Sequence, residues 1–214
     1  MMEWISQNSG TLQFFTNLGT LFVWLFYAQL LYNNYRRDTR ARILINKGVS
    51  DDDLDSPCLI CNMSKEPVFI QGLIVELETS EGTFTKPATD SGERLDSEGG
   101  IKGLGERTRQ GPLNSGACIT VKDFRQLINR GAGAGDLSVG SGVPQDEGVE
   151  FYALCLTIIS FYAAEDRPFG VCRRFSLDYS DAEHPRITPT WVDTKRLTSR
   201  KDKKQVEKWL RECT

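Results

Sequence analysis

The chain has 214 residues and a net charge of −3. This length accommodates one membrane segment and one soluble domain of ordinary size. The small negative charge excludes an overall electrostatic attraction to nucleic acid, so any such binding requires a local basic patch. The six cysteines lie mostly in apolar, strand-like runs, and we expect them to be free thiols.

Residues 11–32 contain no charged side chain and predict one transmembrane helix. As a helix this stretch would be about 33 Å long, enough to cross the hydrocarbon core of a bilayer. It lacks the preceding basic region and the small-residue cleavage site of a signal peptide, so we expect an anchor that is not cleaved. No Lys or Arg precedes it, whereas four arginines follow, which places the N-terminus outside and the remaining chain in the cytoplasm. The arginines expected at the membrane interface are Arg36, Arg37, Arg40 and Arg42.

One face of this helix is more polar than a lipid anchor requires. At 100° per residue, four polar side chains fall within an arc of about 100°, and bulky side chains continue the same face toward the C-terminal end. A monomeric anchor would account for the threonines, whose hydroxyls can bond to their own helix, but not for Gln13 and Asn17. We therefore predict that this face contacts other copies of the helix or water, and whether the copies enclose a pore stays open. The face consists of Ser9, Gln13, Thr16, Asn17, Thr20, Trp24, Tyr27 and Leu31.

From residue 41 onward the apolar pattern has the period of two that is typical of strands. We expect a hairpin between 58–63 and 68–78, loops over 79–111 and 131–148, and a short helix or bent strand at 124–129. Strands are predicted at 41–46, 58–63, 68–78, 117–121, 149–163 (broken) and 169–178. Ser199 and Asp202 form a capping-box pattern that predicts a C-terminal helix over 200–213 with an apolar stripe and a basic face. The basic face either is solvated or binds a partner or nucleic acid.

These patterns predict a membrane-anchored, mainly β protein: one transmembrane helix, an immunoglobulin-like antiparallel β-sandwich and a C-terminal helix. The predicted organisation is a transmembrane region over 1–35 and a basic juxtamembrane segment with the first strand over 36–48. The cytoplasmic sandwich follows over 49–197, and the last helix occupies 198–214.

No motif predicts an enzyme, a cofactor or a metal site. The single histidine, His184, lacks a nucleophile motif, and the pair Cys58 and Cys61 lacks the further ligands that zinc needs. The acidic run 51–55 lacks the Gly and Glu of a calcium loop, and the Gly-rich run 131–135 lacks the Lys of a phosphate loop. We interpret these four features as a loop residue, core packing, a solvated turn and a flexible loop.

Basic residues of the soluble domain provide the one hypothesis for a ligand. If they converge in an oligomer, they would bind an anion or an oligonucleotide through its phosphates. The candidate ligand residues are Lys102, Arg107, Arg109, Arg173 and Arg174.

The Arg-rich exit from the helix is followed by the runs RILINKG at 42–48 and CLICNMSKEPVFIQGLIVELET at 58–79. Together with the single N-terminal helix, these runs resemble the membrane-channel effectors of Hailong anti-phage defence systems. The resemblance implies a tetrameric pore in the bacterial inner membrane, held shut by a DNA oligomer that a partner nucleotidyltransferase makes.

Two functions therefore compete at this point. The chain is either a ligand-gated channel or other membrane-depolarising effector, or an anchored adaptor whose sandwich binds a protein partner. A pore predicts that Gln13, Asn17 and Thr20 face water, whereas an adaptor predicts that they bond from helix to helix.

Overall fold

A computed structural model describes residues 9–38, 40–88, 110–162, 165, 167–181 and 185–212. The chain divides into two compact units, Met1–Arg40 and Ala41–Thr214. The helices are α1 (Ser9–Asp38), α2 (Phe124–Ala132) and α3 (Arg200–Glu212). The strands are β1 (Ile43–Lys47), β2 (Pro57–Asn62), β3 (Val68–Thr79), β4 (Gly82–Pro87), β5 (Gly111–Leu113), β6 (Cys118–Asp123), β7 (Val139–Gly140), β8 (Val143–Pro144), β9 (Phe151–Tyr162), β10 (Phe169–Asp178), β11 (Arg186–Pro189) and β12 (Lys195–Leu197).

The first unit contains α1, a single helix of 30 residues. Its segment Ser9–Tyr35 is long and apolar enough to cross a membrane, which confirms the helix predicted from residues 11–32. None of that segment is buried within the structure.

The second unit is built mainly from antiparallel strands, as predicted. Its larger sheet has seven strands in the order β11-β10-β9-β3-β4, with β12 also paired to β10 and β5 to β3. A second sheet has three strands in the order β1-β2-β6, and β7 and β8 form a small hairpin.

The predicted hairpin between 58–63 and 68–78 is wrong, because β2 and β3 belong to different sheets. β2 pairs with β1 and β6, whereas β3 pairs with β9, β4 and β5. The segment 63–67 is short enough for a hairpin turn, but it carries the chain from one sheet to the other.

Three other predictions also need correction. The region 79–111 was expected to be a loop, but it contains β4 and begins β5, and residues 89–109 lie outside the described residues. The predicted loop 131–148 contains the end of α2 and the β7–β8 hairpin. The strand at 149–163 was expected to be broken, yet β9 runs through twelve residues. β11 and β12 were not anticipated.

The core lies on one face of the larger sheet. Leu73, Val75 and Leu77 alternate along β3 and belong to the main hydrophobic cluster together with side chains of the smaller sheet and of α2. Phe124 of α2 packs edge-on against Phe175 of β10, with ring centroids 4.8 Å apart. α2 and the smaller sheet thus share the inner face of the larger sheet.

The opposite face is partly covered by α3. Val206 and Trp209 are buried there against Ile74 of β3 and Ile159 of β9. The predicted capping box is present, since the Ser199 amide donates to Asp202 Oδ2 at 3.0 Å and the Asp202 amide donates to Ser199 Oγ at 3.1 Å. Both the helix and its apolar stripe are therefore confirmed.

The Gly-rich run after Asn129 is a packing feature. A Cβ on Gly131 would lie 2.9 Å from the Leu77 Cβ, and one on Gly135 would lie 2.4 Å from the Phe84 ring. Glycine therefore lets this segment lie directly on β3 and β4, which explains the run without a phosphate ligand.

Asn62 joins the elements where the chain changes sheets. Its side chain is fully buried, and Nδ2 donates to the carbonyls of Glu66 at 2.9 Å and Leu113 at 2.8 Å. Oδ1 accepts from the Ser64 amide at 2.8 Å. The Asn62 side chain thus bonds to three backbone groups, and Asn62 and Ser64 are buried while Met63 between them is 59% exposed.

Replacing Asn62 with Ala should lower the free energy of unfolding by about 3 kcal/mol or more, because two buried hydrogen bonds and one part-buried hydrogen bond to the backbone are lost. Urea denaturation followed by circular dichroism measures the change. The exposed Asn114→Ala is the control and should cost less than about 0.5 kcal/mol. Equal effects of the two substitutions would contradict the assigned role of Asn62.

Candidate functional site

The predicted polar face of α1 lies on a helix whose side chains are exposed over 9–35. Trp24 and Leu31 are each 70% exposed, and Tyr27 is 57% exposed. Exposed apolar area of this extent requires a lipid or protein covering in solution. The structure thus leaves the whole face available to lipid, to water or to another helix.

The threonines of this face bond to their own helix. Thr16 Oγ1 donates to the Leu12 carbonyl at 2.9 Å, and Thr20 Oγ1 donates to the Thr16 carbonyl at 2.8 Å. Within the described part of the chain, no hydrogen bond is formed by the side-chain amides of Gln13 and Asn17. These two side-chain amides would therefore gain most from a hydrogen-bond partner outside the helix.

The four arginines that are predicted to lie at the membrane interface have different surroundings. Arg40 is exposed, and the side chains of Arg36 and Arg37 lie outside the described residues. Arg42 belongs to the second unit, where its guanidinium forms an exposed ion pair with Asp193 at 3.2 Å. Its backbone N–H donates to Ser64 Oγ at 2.8 Å, so Arg42 also takes part in the packing of the β domain.

Arg173, a predicted ligand residue, is committed to the interior of the domain. It is 5% exposed, and it donates to the Ile45 carbonyl at 2.5 Å and the Val192 carbonyl at 3.3 Å. Longer contacts reach Asn46 Oδ1 at 3.4 Å and the Trp191 carbonyl at 3.5 Å. The guanidinium therefore links the larger sheet to β1 and is not presented to a ligand.

Arg174 lies on the other face of the same strand. Its guanidinium forms an ion pair with Glu78, and both side chains are about one third exposed. The two adjacent arginines thus point to opposite faces, as strand geometry requires. They do not converge within one chain, while Lys102, Arg107 and Arg109 lie outside the described residues, as does His184.

The exposed basic residues that the structure does bring together lie on α3. This helix buries Val206 and Trp209, and its basic side chains are exposed to solvent. We call these residues the α3 basic face: Arg200, Lys201, Lys203, Lys204, Lys208 and Arg211. The amphipathic pattern of the sequence predicts this face, but none of its residues is among the candidate ligand residues given above.

The acidic run 51–55 holds loops together. Asp53 accepts from Lys47 Nζ at 2.6 Å and from the Ile187 amide at 2.9 Å, while Asp52 and Asp55 both bind Arg125. Partial burial raises the pKa of Asp53, but the hydrogen bonds from Lys47 and Ile187 more than offset this, and the net pKa is lowered. Among the described residues, no group of three or more His, Cys, Asp or Glu could hold a metal ion.

The prediction that all cysteines are free is wrong for two of them. Cys61 of β2 and Cys118 of β6 lie opposite each other in register and form a disulfide. Spacing along the sequence gave no sign of the bond, because the two residues are 57 positions apart and meet only through the pairing of β2 with β6. Cys58, Cys155 and Cys172 form no disulfide, and Cys213 lies outside the described residues.

A second thiol pair lies on the outer face of the larger sheet. Cys155 and Cys172 occupy diagonal positions on β9 and β10, and their thiols share a hydrogen bond. This bond, together with burial, raises the pKa of Cys155, whereas the same bond lowers the pKa of Cys172. Burial and then the charge of Glu78 raise the pKa of the neighbouring Glu76. Sequence patterns did not indicate this cluster, since its members come from three strands.

No family model, curated protein or solved structure matches this chain.

Arg173→Met should lower the free energy of unfolding by about 2–4 kcal/mol, because it leaves the buried Ile45 carbonyl and the Val192 carbonyl without this donor. Arg174→Met removes only an ion pair whose side chains are about one third exposed, and it should cost about 1 kcal/mol or less. Chemical denaturation of both variants gives the comparison. A larger loss for Arg174→Met would contradict the roles assigned to the two residues.

Proposed function

We propose that this chain is an oligomeric single-pass membrane effector, a ligand-gated channel or membrane-depolarising protein in bacterial anti-phage defence. In this proposal α1 crosses the inner membrane with its N-terminus outside, and the β domain lies in the cytoplasm and senses a nucleotide or DNA oligomer. The resemblance to Hailong channel effectors supports a tetramer and a ligand made by a nucleotidyltransferase. We also propose that the β domain is an immunoglobulin-like sandwich.

The observation that carries the proposal is the uncovered polar face of α1. Gln13 and Asn17 are exposed on a helix that is otherwise suited to hydrocarbon, where an unpaired amide costs several kcal/mol. Association of several helices removes that cost, since the amides can then bond across helices or face a hydrated path. The same association would also cover the exposed apolar surface of α1.

The aromatic residues on the same face suit a gate. Trp24 and Tyr27 follow the polar residues and are large enough to close a narrow path by excluding water. In a symmetric oligomer they would form rings, so the resting state would be closed. A ligand that binds the closed and open states with different affinity would then shift the balance between them.

Trp24→Ala should open this path without a ligand and raise resting ion flux at least about tenfold, equivalent to about 1.4 kcal/mol of gating bias. Phe22→Ala is the matched control, because Phe22 is an exposed aromatic residue about 180° away around the helix. Flux through reconstituted bilayers and membrane potential in expressing cells measure the effect. If the wild type is monomeric in mild detergent and neither variant conducts, the channel proposal is wrong.

For the ligand, the α3 basic face is better placed than Arg173. Phosphate contacts need exposed cations, and the face has six of them on one helix, whereas the Arg173 guanidinium is bonded to carbonyls inside the domain. We therefore propose that oligonucleotide phosphates bind the α3 basic face.

Lys201→Glu with Lys204→Glu should weaken binding of a short single-stranded DNA oligomer at least about tenfold at low salt, with a shallower salt dependence than the wild type. Lys65→Glu is the control and should change affinity less than about twofold, since Lys65 is exposed but lies between β2 and β3 and does not belong to the α3 basic face. Fluorescence anisotropy between low and moderate salt gives both quantities. Binding that is lost equally in the double variant and the control would exclude a specific role of α3.

The alternative function is an anchored adaptor, and one observation favours it. Phe69 of β3 is 41% exposed and lies directly opposite Pro112 of β5 and Phe161 of β9. This apolar group on the domain surface suits a protein partner. An adaptor predicts no ion flux from any α1 variant, and the Trp24→Ala experiment therefore separates the two functions.

A further inference from the structure

The disulfide of the β domain differs from its other cysteines in exposure. Cys118 is exposed, whereas its partner Cys61 is 9% exposed. Outside the disulfide, Cys58 and Cys172 are buried and Cys155 is half-buried. One residue of the pair is thus exposed to solvent while the other is buried beside it.

The strands that carry the pair are also held together by backbone hydrogen bonds. Backbone pairing of β2 with β6 includes Ile60 opposite Ile119, and the Asn62 amide donates to the Ala117 carbonyl at 2.9 Å. The Cα atoms of Cys61 and Cys118 are 4.0 Å apart. After reduction, the two thiols would still face each other across neighbouring strands, so the bond can re-form without a rearrangement of the fold.

We propose that Cys61 and Cys118 are a reversible modification site, a dithiol that hydroperoxides oxidise and small or protein thiols reduce. Accessibility assigns the first step to Cys118 and the second to Cys61, the pattern of a reactive cysteine with an adjacent resolving cysteine. Reversibility inside cells rests on the proposed cytoplasmic location of the domain, because disulfides are short-lived in a reducing compartment. The chemistry of the purified protein does not depend on that location.

The oxidation balances in two steps. The Cys118 thiolate attacks the peroxide, an S–O bond forms, the O–O bond breaks, and the leaving oxygen takes a proton to give an alcohol or water. The Cys61 thiolate then attacks the sulfur of the Cys118 sulfenic acid, the S–S bond forms, and hydroxide leaves and takes a proton as water. The two sulfurs together lose two electrons and the peroxide gains them. In the reverse direction two external thiols become a disulfide.

The bond lies next to the Asn62 hydrogen-bond network. Cys61 directly precedes Asn62, and Cys118 directly follows Ala117, whose carbonyl accepts from the Asn62 amide. The Met63 amide in turn donates to the Arg42 carbonyl at 2.8 Å, just before β1 begins. Oxidation would therefore stiffen the end of the smaller sheet at which the chain enters the β domain.

The test uses the full-length protein in detergent, reduced with dithiothreitol, freed of reductant and treated with hydrogen peroxide. After alkylation, peptide mass spectrometry should show loss of the thiols of Cys61 and Cys118 and their return on renewed reduction. In Cys61→Ser, a sulfenic-acid trap should label Cys118, and in Cys118→Ser it should label Cys61 at least about tenfold more slowly. The double variant Cys155→Ser with Cys172→Ser should respond to peroxide like the wild type.

Three outcomes would overturn the proposal for the purified protein. These are faster trapping at Cys61 than at Cys118, peroxide oxidation of Cys155 and Cys172 in place of this pair, and unfolding of the domain on reduction. Circular dichroism of the reduced protein monitors the last of these.

A second arm uses cells that are acid-quenched before and after peroxide treatment. Reduced cysteines before treatment and a disulfide after it are the expected result. A disulfide already present in untreated cells would overturn reversible modification in the cell. If the purified protein still cycles in that case, the proposed cytoplasmic location has failed and the chemistry of the pair has not.

Discussion

The pairing of β3 with β9 is the constraint on which the rest of the β domain depends. Both strands have twelve residues and lie side by side in the middle of the larger sheet. Their inner residues, such as Val75 and Leu156, form the main core, and their outer residues Ile74 and Ile159 receive α3. Strands that are buried on both faces need covering layers on both sides. The smaller sheet with α2 supplies one layer, and α3 supplies part of the other.

This constraint explains which parts of the fold could be predicted. β9, β10 and α3 have local signatures, namely a long apolar run, an alternating run and a capping box, and each was recognised. Sheet membership is not local. β2 and β3 are joined by a turn short enough for a hairpin, but each pairs with a strand more than fifty residues away, β6 for β2 and β9 for β3. β4 and β12 lack an apolar run that would predict a strand. They are recognised only from their pairing with the longer strands β3 and β10 in the structure.

The candidate site was predictable to a smaller extent, because it depends on which charged side chains the fold buries and which it leaves exposed. Strand alternation correctly placed Arg173 and Arg174 on opposite faces. It could not show that carbonyls of β1 and of the segment before β12 would surround Arg173, since those segments are distant in sequence. A buried guanidinium with carbonyl partners stabilises the packing of the two sheets, and basic character alone did not distinguish it from a ligand residue. The α3 basic face was evident from helical periodicity because its residues are close in sequence.

Two features of the chain favour different locations for the β domain. The arginines after α1 favour the cytoplasm, since positive charge beside a span is retained on that side. The Cys61–Cys118 disulfide favours an oxidising compartment, where such bonds persist. The arginines would act at membrane insertion and involve four charges, whereas the disulfide is one bond between strands that also pair through their backbones. This backbone pairing holds the two cysteines opposite each other in addition to the S–S bond. With the proposed cytoplasmic location, the presence of the disulfide would depend on the oxidising power of its surroundings.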